Sequence, residues 1–156
     1  MQRKTASSWR AMRGVAAVEL GLMMAPILVL TFGVVEYGRA IYTYNAIDKG
    51  ARDAVRHLTY ALPTNPNPKS EAINLAVYGN VEGTGAPLAP GLTTGMVEIC
   101  DAASCPSTHA SVTTGSGVVN LVTVRITGYV YQSIVTYVAP ATLDFSDISV
   151  TMRSHL

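Results

Sequence analysis

The longest feature of the hydrophobic pattern is a run from Val15 to Val35 whose only charged residue is Glu19; Leu20 to Val35 carry no charge at all. A helix of that length spans a hydrocarbon core of about 30 Å, and a chain this short has little with which to cover it as a buried helix. Beyond the run the pattern stays helical. Ala40, Tyr44, Ile47, Ala51, Ala54 and Leu58 step by three or four residues along one face. Arg39, Lys49, Arg52, Asp53 and Arg56 decorate the rest as a solvated surface, with Asp48–Arg52 and Lys49–Asp53 at i,i+4 spacing. The prolines of "PTNPNP" should end this helix near Leu62. Pro26, inside the run, lacks a donor for the Leu22 carbonyl, so a kink or local loosening is expected there.

The second half changes period. "EAINLAVYG" after Ser70 predicts a short helix with Ala72, Leu75 and Ala76 on one face and Gly79 at its end. A loop follows to Gly95. "MVEIC" reads as a strand, and "VVNLVTVRITGYVY" alternates, with Val122, Val124 and Ile126 opposite Thr123, Arg125 and Thr127. Gly128 suggests a bulge in a strand continuing towards Tyr131 or Val138. "FSDISVTMR" places Ile148, Val150 and Met152 on one face. The expected fold is α+β: a long N-terminal transmembrane helix continuing into a periplasmic helix, packed on a small antiparallel sheet of three to four strands. Neither layer is stable alone. The expected organisation is a basic leader over 1–14, a span over 15–37 and the extramembrane helix over 38–62. A Pro/Gly-rich linker with a short helix covers 63–95, and a β region 96–156.

Composition agrees with a membrane-attached chain: 49% of residues are hydrophobic and 13% charged, against about 25% charged in typical soluble proteins. Arg3, Lys4, Arg10 and Arg13 fall in the first fourteen residues, which hold no acid; removing them from the formal +1 leaves −3. That excludes a polycationic nucleic-acid surface and places the N-terminus in the cytoplasm with the remainder outside. A cleaved secretory signal shares the basic start. Its usual features are missing, since the apolar run is too long, Gly38–Ala40 is a poor cleavage site, and Glu19 stands where the apolar core would begin. Ala17, Gly21 and Ala25 recur every fourth residue, a small-xxx-small stripe that lets a second helix approach closely in lipid.

Little points to catalysis or cofactors. His57, His109 and His155 are scattered; Thr114–Gly117 is no nucleophile elbow; Gly83 and Gly85 lack the helix and lysine of a phosphate loop. Asp144 and Asp147 flank a strand start, where turn and capping roles suffice. Cys100 and Cys105 cannot build a four-cysteine zinc site, and no histidine is read as a ligand beside them. They are either a local disulfide or free thiols, and an extracytoplasmic domain favours the disulfide. No metal, cofactor or enzymatic activity is expected.

One constellation carries more. A basic leader, Gly14, "VAAVEL" with Glu19 fifth after the glycine, and an apolar helix resemble a type IV prepilin processing site. The continuation "FGVVEYGRAIYTYNAIDKGARDAVR" resembles the TadE family, minor pilin-like proteins of the tight-adherence (Flp) pilus system. The resemblance covers Arg13 to Leu58, and the C-terminal half only in general pattern. Major Flp pilins are much shorter. Type IVa pilins and type II secretion pseudopilins usually read G-F-T-L-I-E, from which Val15 departs. The resemblance implies cleavage by a prepilin peptidase between Gly14 and Val15. It also implies that Glu19 pairs with the freed ammonium, of its own or a neighbouring subunit, supplying register within a helix bundle; a carboxylate snorkelling to the interface is the alternative. Implied partners are inner-membrane lipid, the peptidase, other pilin and pseudopilin subunits and the pilus assembly platform, with no nucleic acid. The implied role is a non-enzymatic minor pseudopilin, single-pass in a bacterial inner membrane and with a periplasmic domain. A pseudopilin of another secretion or pilus system, or an envelope protein with a ligand-binding outer domain, are the competing readings.

Overall fold

The computed structural model describes residues 8–61, 67–115 and 117–154, with side chains from Gly14 onward. Arg3 and Lys4 of the leader, the side chains of Arg10 and Arg13, the expected helix end at Leu62, and His155 therefore lie outside the described residues.

One helix, α1, runs from Ser8 to Tyr60 and passes through Pro26; the kink or loosening expected at Pro26 does not end it. Neighbouring turns hold the segment where a proline removes one bond. Gly14 to Phe32 are exposed at every position. Packing starts at Gly33, where an added Cβ would lie 3.3 Å from Val138 Cγ1. From there Glu36, Ala40, Thr43, Ile47, Gly50, Ala51, Ala54, Val55, Leu58 and Thr59 are buried, the three-and-four spacing of an amphipathic helix. Tyr44 departs from the expected face: it is half-exposed, and its ring meets Phe145 edge-on at 5.5 Å. Arg52 and Asp48 pair at 2.7 Å. The expected Lys49–Asp53 pair does not form.

Helix α2 (Pro68–Tyr78) begins two residues before Ser70, because Pro68 suits a first turn where its missing N–H leaves nothing unpaired. Gly79 ends it at φ 74°, its N–H donating to the Leu75 carbonyl at 3.0 Å, a left-handed position that glycine adopts freely. Ala72, Ala76 and Val77 are buried against α1. The approach is close: a Cβ on Gly50 would sit 2.6 Å from the Ala76 carbonyl oxygen. Ala89 and Leu92 of the following loop join the same core.

Six short strands complete the α+β domain: β1 (Val97–Cys100), β2 (Val112–Thr114), β3 (Gly117–Ile126), β4 (Val130–Gln132), β5 (Thr142–Asp144) and β6 (Ile148–Ser154), with a four-residue helix α3 (Pro106–His109) after β1. Strand β3 is central. It pairs antiparallel with β1 (Val97 opposite Ile126), with β6 (Ile148 opposite Ile126, Met152 opposite Val122) and with β2 (Val112 opposite Val119). Val122, Val124 and Ile126 are buried on the face turned to α1, as the alternation predicts.

The expected sheet of three to four strands is the four-stranded one built on β3, and among the described residues β4 and β5 form a second, two-stranded sheet. Strand β3 does not run on to Tyr131. Gly128 takes φ 69° and turns a corner rather than forming a bulge, and β4 pairs with β5 instead (Tyr131 opposite Leu143). Tyr129 and Tyr131 keep the alternation and are both buried, so the periodicity carries straight across the change of sheet. At the other end Met96 belongs to a single 3₁₀ turn rather than to β1.

Candidate functional site

Of the residues singled out in the sequence, those of the processing motif lie on the bare half of α1. Gly14 is exposed with nothing within 4 Å of a Cβ placed on it, and Val15 is exposed. Glu19 is exposed and makes no hydrogen bond or ion pair among the described residues. Ala17, Gly21 and Ala25 are exposed on successive turns among Val18, Leu20, Leu22 and Met23. Among the described residues the fold brings none of these to a partner; it presents them outward.

The structure also shows a site that the sequence reading missed. Glu36, to which the sequence reading gave no role, is 2% exposed. Its Oε1 accepts the Tyr131 hydroxyl at 2.8 Å and the Ile134 backbone N–H at 3.1 Å, while Arg39 Nη1 donates to both carboxylate oxygens at 3.1 and 3.0 Å. A buried carboxylate is tolerated only when its oxygens are satisfied in this way. The Arg39 guanidinium lies 5.6 Å from the centroid of the Tyr131 ring. That ring stacks on Phe145 at 5.8 Å, and Phe145 in turn meets Tyr129 and Tyr44. Tyr129 donates its hydroxyl to the Pro90 carbonyl at 2.9 Å. Burial pushes the Tyr131 hydroxyl above the ordinary tyrosine range, and its bond to Glu36 pushes the same way; burial alone raises Tyr129. Both stay protonated donors. Glu36 thus ties α1 to β4 and to the loop after β4. The signal lay in "EYGRA", where Arg39 stands three residues after Glu36 at the end of an apolar run. Beside this cluster an open hollow of about 510 Å³ is lined by Arg39, Thr43, Met96, Tyr129 and Tyr131.

Cys100 and Cys105 form a disulfide with Cα atoms 5.5 Å apart. The expectation that no histidine stands beside them is corrected: α3 brings the His109 ring close enough for the three ligand atoms to lie within 4.8 Å of one another. The sulfurs are bonded to each other, however, and the His109 nitrogens meet the Thr108 and Thr123 hydroxyls at 2.7 Å each. The cluster is a cross-linked turn, and its donor atoms do not suit a metal in this state. Next to it Asp101 accepts from Lys69 at 2.7 Å and from the Ser104 N–H and hydroxyl at 2.7 and 2.6 Å. Partial burial pushes the Asp101 carboxyl up, but the Lys69 ammonium and the Ser104 donors outweigh it and bring it down to about 2. His57, unplaced by any motif, meets Glu71 at 2.9 Å and links α1 to α2.

A single long helix, bare and apolar over one half and carrying a small α+β domain on the other, defines a protein with one candidate N-terminal membrane anchor: the apolar window of α1 has mean hydropathy 2.1 and none of it is buried. Residues 14–56 match the family model described as TadE-like protein, in agreement with the resemblance carried by Gly14, Glu19 and "EYGRA". The match begins at Gly14, takes in Glu36 and Arg39 and stops before α2. No curated protein and no solved structure matches the chain.

Proposed function

We propose that the protein is a non-enzymatic minor pseudopilin of a tight-adherence pilus. In this reading α1 crosses the inner membrane once over 15–37, with the domain in the periplasm, and a prepilin peptidase cleaves between Gly14 and Val15. The observation that carries it is the bare half of α1, at whose start the family match and the Gly14–Glu19 spacing coincide. A peptidase needs this glycine exposed, and a helix bundle of pilin and pseudopilin subunits needs an apolar helix with no partner in its own chain. Cleavage removes the basic leader residues that hold the helix at the cytoplasmic face. It also frees an ammonium at Val15, one turn from the Glu19 carboxylate. The stripe of Ala17, Gly21 and Ala25 permits close helix packing in the same bundle.

The decisive measurement is the N-terminal sequence of the membrane-extracted protein. A start at Val15, abolished by Gly14→Leu, is expected; an intact Met1 in the wild type overturns the proposal. Glu19→Ala should leave membrane level intact or higher, because a charge within a span opposes insertion. It should abolish co-purification with other pilus subunits, since the Val15 ammonium then enters the bundle without its carboxylate.

A further inference from the structure

The segment between β4 and β5, Ser133–Ala141, is held firmly yet turns large side chains outward. The Ile134 N–H is bonded to Glu36, the Ser133 N–H donates to the Ala141 carbonyl at 3.0 Å, and the Val138 and Ala139 N–H groups both donate to the Val135 carbonyl at 3.1 Å. Ala139 is buried and Val138 lies over Gly33. Despite this anchoring, Ile134 is 74% exposed and Tyr137 is 99% exposed. From Ile126 to Leu143 the sequence contains no charged residue, so moving this loop out of water desolvates no ion.

Its height along α1 supplies the second observation. The bare stretch Gly14–Phe32 rises about 28 Å at 1.5 Å per residue, nearly the whole hydrocarbon thickness of about 30 Å. Gly33 and Glu36, to which the loop is fastened, therefore stand in the last turn of the proposed span, where the helix leaves the apolar layer. On α1 itself Tyr37, Ile41 and Tyr42 are exposed at this level. Tyrosine is enriched at the headgroup level, where an apolar ring and a polar tip are both satisfied.

We propose that this loop is a second membrane contact: Ile134 and Tyr137 seat in the headgroup–acyl boundary of the leaflet from which α1 emerges. The proposal rests on α1 spanning a bilayer. Lipid is the occupant because the loop is fastened to α1 at Gly33 and Glu36, the depth where the bare surface of the helix ends. Two contacts of this kind fix the tilt of the domain over the membrane, where α1 alone would leave it free to rock.

The test uses the full chain in phosphatidylethanolamine–phosphatidylglycerol vesicles, without reductant so that Cys100–Cys105 stays closed. A polarity-sensitive fluorophore is attached at Tyr137→Cys, at Val29→Cys within the bare helix, or at Thr113→Cys in β2. Phospholipids carry a nitroxide either near the headgroup or deep in the acyl chain. At position 137 most of the fluorescence should be lost to the shallow nitroxide and little to the deep one, with position 113 unchanged. Quenching at 29 without quenching at 137 overturns the loop contact while leaving the span intact. No quenching at 29 overturns the span itself. Shielding of 137 that grows with protein density but is insensitive to both nitroxides assigns the surface to a second copy and also overturns the proposal.

Discussion

From Gly33 to Tyr60 α1 turns Gly50, Ala51, Ala54 and Val55, with the larger Ile47 and Leu58, towards the rest of the domain, whereas from Gly14 to Phe32 it turns leucine, methionine, valine and isoleucine outward on every side. The helix is one piece, so backbone geometry does not separate the halves; the presence of a partner does. In the packed half small residues let backbones approach, to the point that Gly50 leaves no room for a Cβ. In the bare half a helix apolar all round has no counterpart in its chain, and such helices belong inside something. The packed half is specified by the protein's own domain, and the bare half by surroundings that the chain does not supply.

The largest effect should come from removing the close approach. In Gly50→Val the added atoms meet the Ala76 carbonyl and Leu88 Cδ1, at 2.6 and 2.8 Å even for a single Cβ. The expected loss is about 3 kcal/mol, the upper end of overpacking, read as a fall in the thermal midpoint of the domain in detergent. An unchanged midpoint would mean that α1 and α2 are not packed as described.

A smaller effect belongs to Asp101. Its folded pKa of about 2 lies below the ordinary 3.8, so its stabilising contribution is fully present above about pH 4 and disappears as pH falls towards 2. Asp101→Asn should cost under about 1 kcal/mol at neutral pH, because Lys69 is half exposed and screened. Wild type and variant should converge near pH 2; a gap that persists there would assign the effect to packing.

The smallest effect sharpens the contrast itself. Leu28→Ala, of a kind that costs about 2–5 kcal/mol in a core, should change domain stability by less than about 0.5 kcal/mol. A drop above that in the same melt would show that the bare half packs against its own domain.

What was legible in the sequence follows the range of the interactions. The long helix, the buried face from Ala40 to Leu58 and the alternation of β3 are local patterns, and a local reading finds them. Glu36 was missed because its partners Tyr131 and Ile134 are 95 and 98 residues away, and its one local signal, Arg39 three residues on, reads equally well as a surface pair. The corner at Gly128 was read as a bulge because Tyr129 and Tyr131 continue the alternation although the sheet has changed. His109 escaped notice because the short turn of α3, not strand geometry, carries it back to the disulfide. The outward-facing residues Gly14, Glu19 and the small-residue stripe were read from sequence, yet the structure of one chain leaves them without partners by its nature.

The cluster at Glu36 also sets a compass bearing. Donors from β4, from the loop behind it and from Arg39 converge on one carboxylate, so the domain cannot swivel about the axis of α1 without breaking them. Every side of the bare helix then has a fixed heading relative to the domain. At 3.6 residues per turn, the seventeen steps from Glu19 to Glu36 place the two carboxylates about 100° apart around the axis. If α1 spans a bilayer as proposed, a neighbour that docks at Glu19 meets the domain at a set angle, and whatever α1 joins there dictates which face the domain shows outside.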